Sequence, residues 1–257
     1  MAKIESIKCT LESCFSENWI RETAAEVGAV KRNKKVDIVA FFWTLVLGFG
    51  TGSCRSIAEL RRCFGSSSGS KLAPSSFYDR FTPALCAFLK QAVGHACQVL
   101  SEPQTKLRGR LSSFVDLVVA DATVISLHDF LESHFQACRT NHTKAALKLQ
   151  MVISVLAASP KQVQIFSERI HEVRKMKIGP WVKGRLLLMD LGYYSFSLFE
   201  RIQRNAGFFV SRVKSNANFE IASSNLVCRG RSLKLEGKKF QDILPKLKRQ
   251  TIDLEVW

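Results

Sequence analysis

The chain has 257 residues, enough for one large domain or for a core carrying a helical appendage. Hydrophobic residues make up 46% of it, which excludes a disordered polyelectrolyte, so the net charge of +16 sits on a folded body. That charge is spread evenly, +7 over residues 1–110 and +9 over 111–257. A basic tail on a neutral domain is thereby excluded, and a polyanion bound in a salt-dependent way is implied. Composition favours nucleic acid over an anionic membrane surface or a ribosome without separating them.

The longest apolar stretch, Val36 to Gly50, contains Asp37 and falls short of the roughly 20 residues that cross a bilayer, so it reads as a buried helix. The N-terminal MAKIESIKCTLESC alternates charged and apolar residues and has no signal-peptide core. The eight cysteines (9, 14, 54, 63, 86, 97, 138, 228) are scattered singly, with no CxxC pair. They are expected to be reduced, buried thiols in a cytoplasmic protein.

The first hundred residues read as helical. Cys14–Val30 and Lys35–Gly48 are apolar-periodic, and Ser56–Cys63 opens on a Ser with Glu59 three residues on, a capping box. Gly65–Ser76 (GSSSGSKLAPSS) reads as a flexible connector, followed by a helix pair with Pro83 near the first turn of the second. Arg55, Arg61, Arg62, Lys71 and Arg80 on these short helices suit either a helix-turn-helix-like DNA contact or a basic cap with no base recognition.

After Gln104 the pattern changes. Phe114–Ala120 (FVDLVVA) is a short buried strand, Leu147–Ala157 a second, and Ala158-Ser-Pro160 turns into a third at Gln162–Phe166. Ser167–Lys177 reads as a helix closed by Gly179-Pro180. Arg185–Met189 (RLLLM) is a strand ending at Asp190, Ser195–Asn205 a Ser-capped helix, and Gly207–Val213 a strand. Three strands followed by helix, strand, helix, strand give an α/β fold.

Asp121 and Asp190 each follow an apolar strand, which places them at strand C-terminal rims, where α/β sheets put their sites. On neighbouring strands the two carboxylates would converge and require a cation. Mg²⁺ fits, because it takes oxygen ligands and keeps waters for a phosphate substrate. Two such ions activate an attacking hydroxyl and stabilise the leaving oxygen of a phosphoryl transfer. Taken singly, each aspartate reads more readily as a helix N-cap or turn residue, and only the pair favours a metal. Arg212 and Lys214, just past the last strand, suit DNA phosphate contacts or plain solvated charge. Tyr193 and Tyr194 suit packing or base stacking, and Lys144 and Lys148 flank the second strand. His128, His134 and His142 show no metal-ligand spacing, and KLKRQ (246–250) with Lys238-Lys239 reads as solvated turns.

The wording of three segments carries a resemblance. ADATVISLHDF (120–130), HTKAALKLQMVISVLAASP (142–160) and LLLMDLGYYSFSLFERIQRNAGFFVSRVKSNAN (186–218) resemble the blocks of insertion-sequence transposases of the Asp-Asp-Glu class. SSFYDRFTPALCAFL resembles that family's N-terminal region, so the likeness runs from about residue 30 to the end. It implies a ribonuclease-H-like mixed sheet with flanking helices, interrupted after its fifth strand by a β-rich insertion. The implied divisions are a helical, DNA-contacting region 1–104, a catalytic core 105–215 and the start of the insertion 216–257.

The resemblance makes Asp121 and Asp190 the first two members of a catalytic, metal-binding triad holding two Mg²⁺ (or Mn²⁺) ions. Arg212, Lys214, Lys148 and Tyr194 become its DNA contacts, with double-stranded transposon ends and target DNA as partners and a homodimer on DNA as the assembly. The third member, a Glu on a later helix, matches neither Glu236, in a Gly/Lys-rich turn, nor Glu255, in an alternating strand. The resemblance therefore implies a DNA transposase in incomplete form. The competing reading is an inactive chain that binds transposon ends or a partner and acts as an inhibitor.

Overall fold

The computed structural model describes residues 10–30, 36–50, 52, 54–70, 72–100, 102, 105–140, 143–214, 216–224, 227–228, 231–232, 234–243, 245 and 254–256. Cys9, Lys71, His142 and the KLKRQ cluster lie outside them. The chain divides into two compact units, residues 1–170 and 171–257.

The first unit opens with helices: α1 (Glu17–Glu26), α2 (Ile38–Gly50), α3 (Ile57–Ser68), α4 (Pro74–Tyr78) and α5 (Pro83–Leu100). Each end has a local cause. Ser16 caps α1 by accepting the Trp19 N–H. Ser56 and Glu59 form the expected capping box on α3. The backbone N–H of Arg55, joined by that of Ser56, holds the Glu59 carboxyl below the usual carboxylate range. Replacing Ser56 by Ala should cost about 1 kcal/mol, read as a shift in the urea midpoint without a change in slope.

The expected flexible connector is corrected. Gly65–Ser68 continue α3, with the Ser67 and Ser68 hydroxyls donating to the Phe64 carbonyl, and the helix closes only at Gly69, in the left-handed region. Pro74 then starts α4. What holds these helices is an aromatic core in which Phe41, Phe42, Phe64, Phe77 and Phe88 are fully buried. Phe41 meets Phe77 at 5.5 Å and Phe64 at 6.1 Å, both edge to face.

The rest of the unit is an antiparallel sheet of β1 (Leu117–Leu127), β2 (Gln136–Thr140), β3 (Thr143–Ser154) and β4 (Ser159–Ser167). β1 runs along one edge of β3 from Val118 opposite Ser154 to Leu127 opposite Ala145. β2 and β4 share the other edge. β2 was not expected, because QACRT lacks an apolar run. Helix α5 packs against β4, with the Ser159 hydroxyl donating to the Leu100 carbonyl.

The second unit begins with a four-residue helix, α6 (Glu172–Lys175), where a helix over Ser167–Lys177 was expected. Parallel strands β5 (Leu186–Met189) and β6 (Phe208–Ser211) pair from Leu186 opposite Phe208 to Met189 opposite Ser211, linked by α7 (Phe196–Arg204). Val182, Leu187, Tyr193, Leu198 and Ile202 form its interior. Gly207 enters β6 where a Cβ would lie 2.9 Å from both Ile202 Cγ2 and Val182 Cγ2. Neither buried β-branched side chain can yield, so Gly207→Ala should cost about 1–3 kcal/mol in urea unfolding. Beyond lie β7 (Ile221–Ser224) paired with β10 (Leu254–Val256), the hairpin β8 (Val227–Cys228) and β9 (Arg231–Ser232), and α8 (Phe240–Ile243) over Ile221 and Leu235.

The fold is mixed α/β, a succession of antiparallel strands followed by strand–helix–strand in parallel, with helices beside the strands, which is the order expected from the sequence. No helix among the described residues is long and apolar enough to cross a membrane. Cys14, Cys54 and Cys97 are buried free thiols, as expected, but Cys86 and Cys138 are exposed.

Candidate active site

Asp190 sits where the sequence places it, immediately after β5. Leu186, Leu187 and Met189 are buried and Asp190 is exposed, so the change from core to solvent falls at the carboxylate. Its Oδ1 accepts the Gly192 N–H at 3.0 Å, capping the turn Leu191–Tyr193. The N-cap reading is therefore true of one oxygen, while Oδ2 makes no hydrogen bond among the described residues.

Asp121 is placed differently from the expectation. It lies inside β1, opposite Met151, and the strand continues for six residues. The buried part of β1, Val118 and Ala120, nevertheless ends at this aspartate, which is exposed. Thr123 to Leu127 extend the strand because β-branched residues pair with β3 after the core beneath has stopped. The Asp121 carboxylate makes no hydrogen bond or ion pair among the described residues. Asp121 belongs to the first unit and Asp190 to the second.

A neighbour that sequence reasoning missed is Glu172. A Cβ on Gly192 would lie 3.1 Å from Asp190 Oδ1 and 3.5 Å from Glu172 Oε2, so the two carboxylates flank one glycine. His171 Nδ1 stands 3.8 Å from Glu172 Oε2. An isolated acid in HEVRK, remote in sequence from Asp190, gives no signal for this proximity.

Of the expected DNA contacts, Arg212 and Lys214 are exposed just past β6. Lys214 Nζ lies 5.7 Å from the centre of the Tyr194 ring, a cation–π geometry. Tyr194 is half-buried, which pushes its phenol pKa up, and Tyr193 belongs to the core. Lys148 is 9% exposed, and its ammonium donates to the Ile170 carbonyl at 3.4 Å. Lys144 is exposed, with its backbone N–H given to Asp129. His128 caps a short turn by accepting the Phe130 N–H, and His134 bonds Ser133. Glu236 is exposed in a turn, and Glu255 lies on β10 opposite Ser223.

Among the described residues no three His, Cys, Asp or Glu side chains form a metal-sized group. Asp121 with both carboxylate oxygens, and Asp190 with Oδ2, each offer oxygen that carries no hydrogen bond among the described residues, a donor type that suits a hard divalent cation such as Mg²⁺ and not a thiophilic metal.

The chain is 21% identical over 223 residues to the transposase for insertion sequence element IS1151 of Clostridium perfringens, covering 85% of this chain and 47% of that protein. A cryo-EM structure of piggyBac transposase in a synaptic complex with hairpin DNA superposes with a TM-score of 0.40 at 13% identity, over 77% of this chain and 48% of that one. The chain thus spans about half the length of each relative. Residues 113–253, which carry both aspartates and the Arg212–Lys214 segment, match the family described as the transposase DDE domain, and the chain belongs to that family.

Proposed function

We propose that this chain supplies the first two carboxylates of a transposase that cuts DNA at insertion-sequence ends and joins the freed 3′-hydroxyl to target DNA. The observation that carries the reading is that Asp121 and Asp190 both stand where a buried strand run meets solvent, within the family match, with oxygens unclaimed by other side chains.

In this reading Asp121 and Asp190 would hold Mg²⁺ or Mn²⁺, which would supply charge to polarise a phosphate and to acidify a water. The chain's own residues do the rest. Asp190, fixed by the Gly192 N–H, presents Oδ2 in one orientation. Arg212 offers a planar fork and Lys214 a point charge to phosphates beside the reacting bond, holding the strand in line. Tyr194 orients the Lys214 ammonium. Lys148 would reach a phosphate only by giving up the Ile170 carbonyl, so it is the weakest of the proposed contacts. Residues 1–104 contribute basic helical contacts to the duplex, residues 105–215 the catalytic core, and residues 216 onward the start of an insertion. Double-stranded element ends and target DNA are the substrates, met by a homodimer.

Electrophoretic mobility shifts on duplex DNA at several salt concentrations test the binding half. Affinity should fall steeply with salt, and Arg212→Ala and Lys214→Ala should each reduce the log–log slope by about 1. An affinity indifferent to salt, or slopes unchanged in both variants, would reject the assignment of these two side chains.

A further inference from the structure

The second unit carries a cluster of rings that its core does not absorb. The Tyr194 ring meets Phe196 at 5.6 Å and Phe199 at 5.4 Å, both edge to face, and Phe199 lies flat on Phe209 of β6 at 4.2 Å. The stacked pair anchors the group to the sheet. Phe209 is itself 38% exposed, and the ring most open to solvent is Phe196, 60% exposed at the first position of α7. Nothing in helix formation asks for a large ring there, since the first turn favours small, acidic or proline residues. Beside it the Lys214 ammonium stands over the Tyr194 face, and Arg212 is exposed two residues earlier.

We propose that Phe196 is a stacking platform for an unpaired base of DNA, with Lys214 taking the adjoining phosphate. The inference rests on the DNA-processing reading above and names the form of DNA recognised. A paired duplex offers phosphates to Arg212 and Lys214, but its base faces are already stacked and cannot meet Phe196. A single strand offers both, and a ring–base stack tolerates any sequence. Phe196 and the Lys214 ammonium both lie within 5.7 Å of the same tyrosine ring, so a base and a phosphate of one short strand segment reach them together. An apolar protein partner is the poorer fit, because covering Phe196 would also strip water from two cations. Strand cleavage at an element end is where unpaired nucleotides arise, which places such a platform beside Asp190 in the chain.

The test uses the full chain with two fluorescent DNAs, a fully paired duplex and the same duplex with a short single-stranded tail containing 2-aminopurine. The tail should tighten binding and quench the 2-aminopurine. Phe196→Ala should remove that gain, about tenfold, while leaving duplex affinity unchanged, and Phe196→Trp should retain it. Because Phe196 is exposed, circular dichroism should show both variants folded. Equal affinity for tailed and paired DNA, or a Phe196→Ala variant that weakens both alike, would overturn the proposal while leaving the transposase reading intact. Failure to bind either DNA would overturn both.

Discussion

Asp121→Asn and Asp190→Asn, each in a protein spanning the full length of its relatives, are expected to reduce Mg²⁺-dependent strand cleavage by about 10³-fold or more. Asparagine keeps the volume and can still accept the Gly192 N–H at position 190, but it supplies a neutral oxygen where the cation needs a charge. Losing a metal that provides several kcal/mol of transition-state stabilisation corresponds to such a factor. Salt-dependent duplex binding should survive in both variants, because it depends on Arg212, Lys214 and the spread of positive charge. Parallel cleavage and mobility-shift assays separate the two effects, and cleavage retained in either variant would reject its role.

The second large effect concerns the helical region. Phe77→Ala should destabilise its unit by about 3–5 kcal/mol, a large share of the 5–15 kcal/mol typical of a whole domain. Phe77 is fully buried and its ring touches Phe41 at 5.5 Å, Phe64 at 6.0 Å and Phe81 at 5.9 Å, so its removal leaves a cavity at the junction of α2, α3 and α4. Urea unfolding followed by tryptophan fluorescence reads the loss, since Trp19 and Trp43 belong to the same cluster. A loss under 1 kcal/mol would mean that these helices do not share a cooperative core.

What the amino acids disclosed follows from how strongly each signal is tied to burial. RLLLM reads as a strand because four apolar residues stand in a row, three of them buried, and Asp190 marks its end because burial stops there. At Asp121 that logic located the edge of the core but not the end of the strand. Hairpin pairing with β3 carries Thr123 to Leu127 onward without burial. QACRT forms β2 only because β3 offers it an edge, and nothing local announces that. The Gly65–Ser68 segment looked like a linker by composition, yet it continues α3, and the stop comes at Gly69, which takes the left-handed conformation that closes the helix. Lys148 looked like a phosphate contact because it is charged, whereas its strand register turns it inward to the Ile170 carbonyl. Glu172 was invisible because its nearness to Asp190 is made by a turn and a glycine, and neither leaves a trace in spacing.

Crystals of the chain soaked with Mn²⁺ and element-end DNA, examined by anomalous scattering, put the main claim to its most direct test. A peak bonded to oxygens of both Asp121 and Asp190, at about 2.1 Å if the ion sits as Mg²⁺ would, is the expected result. A manganese held elsewhere, or two carboxylates that share no ion, would contradict it.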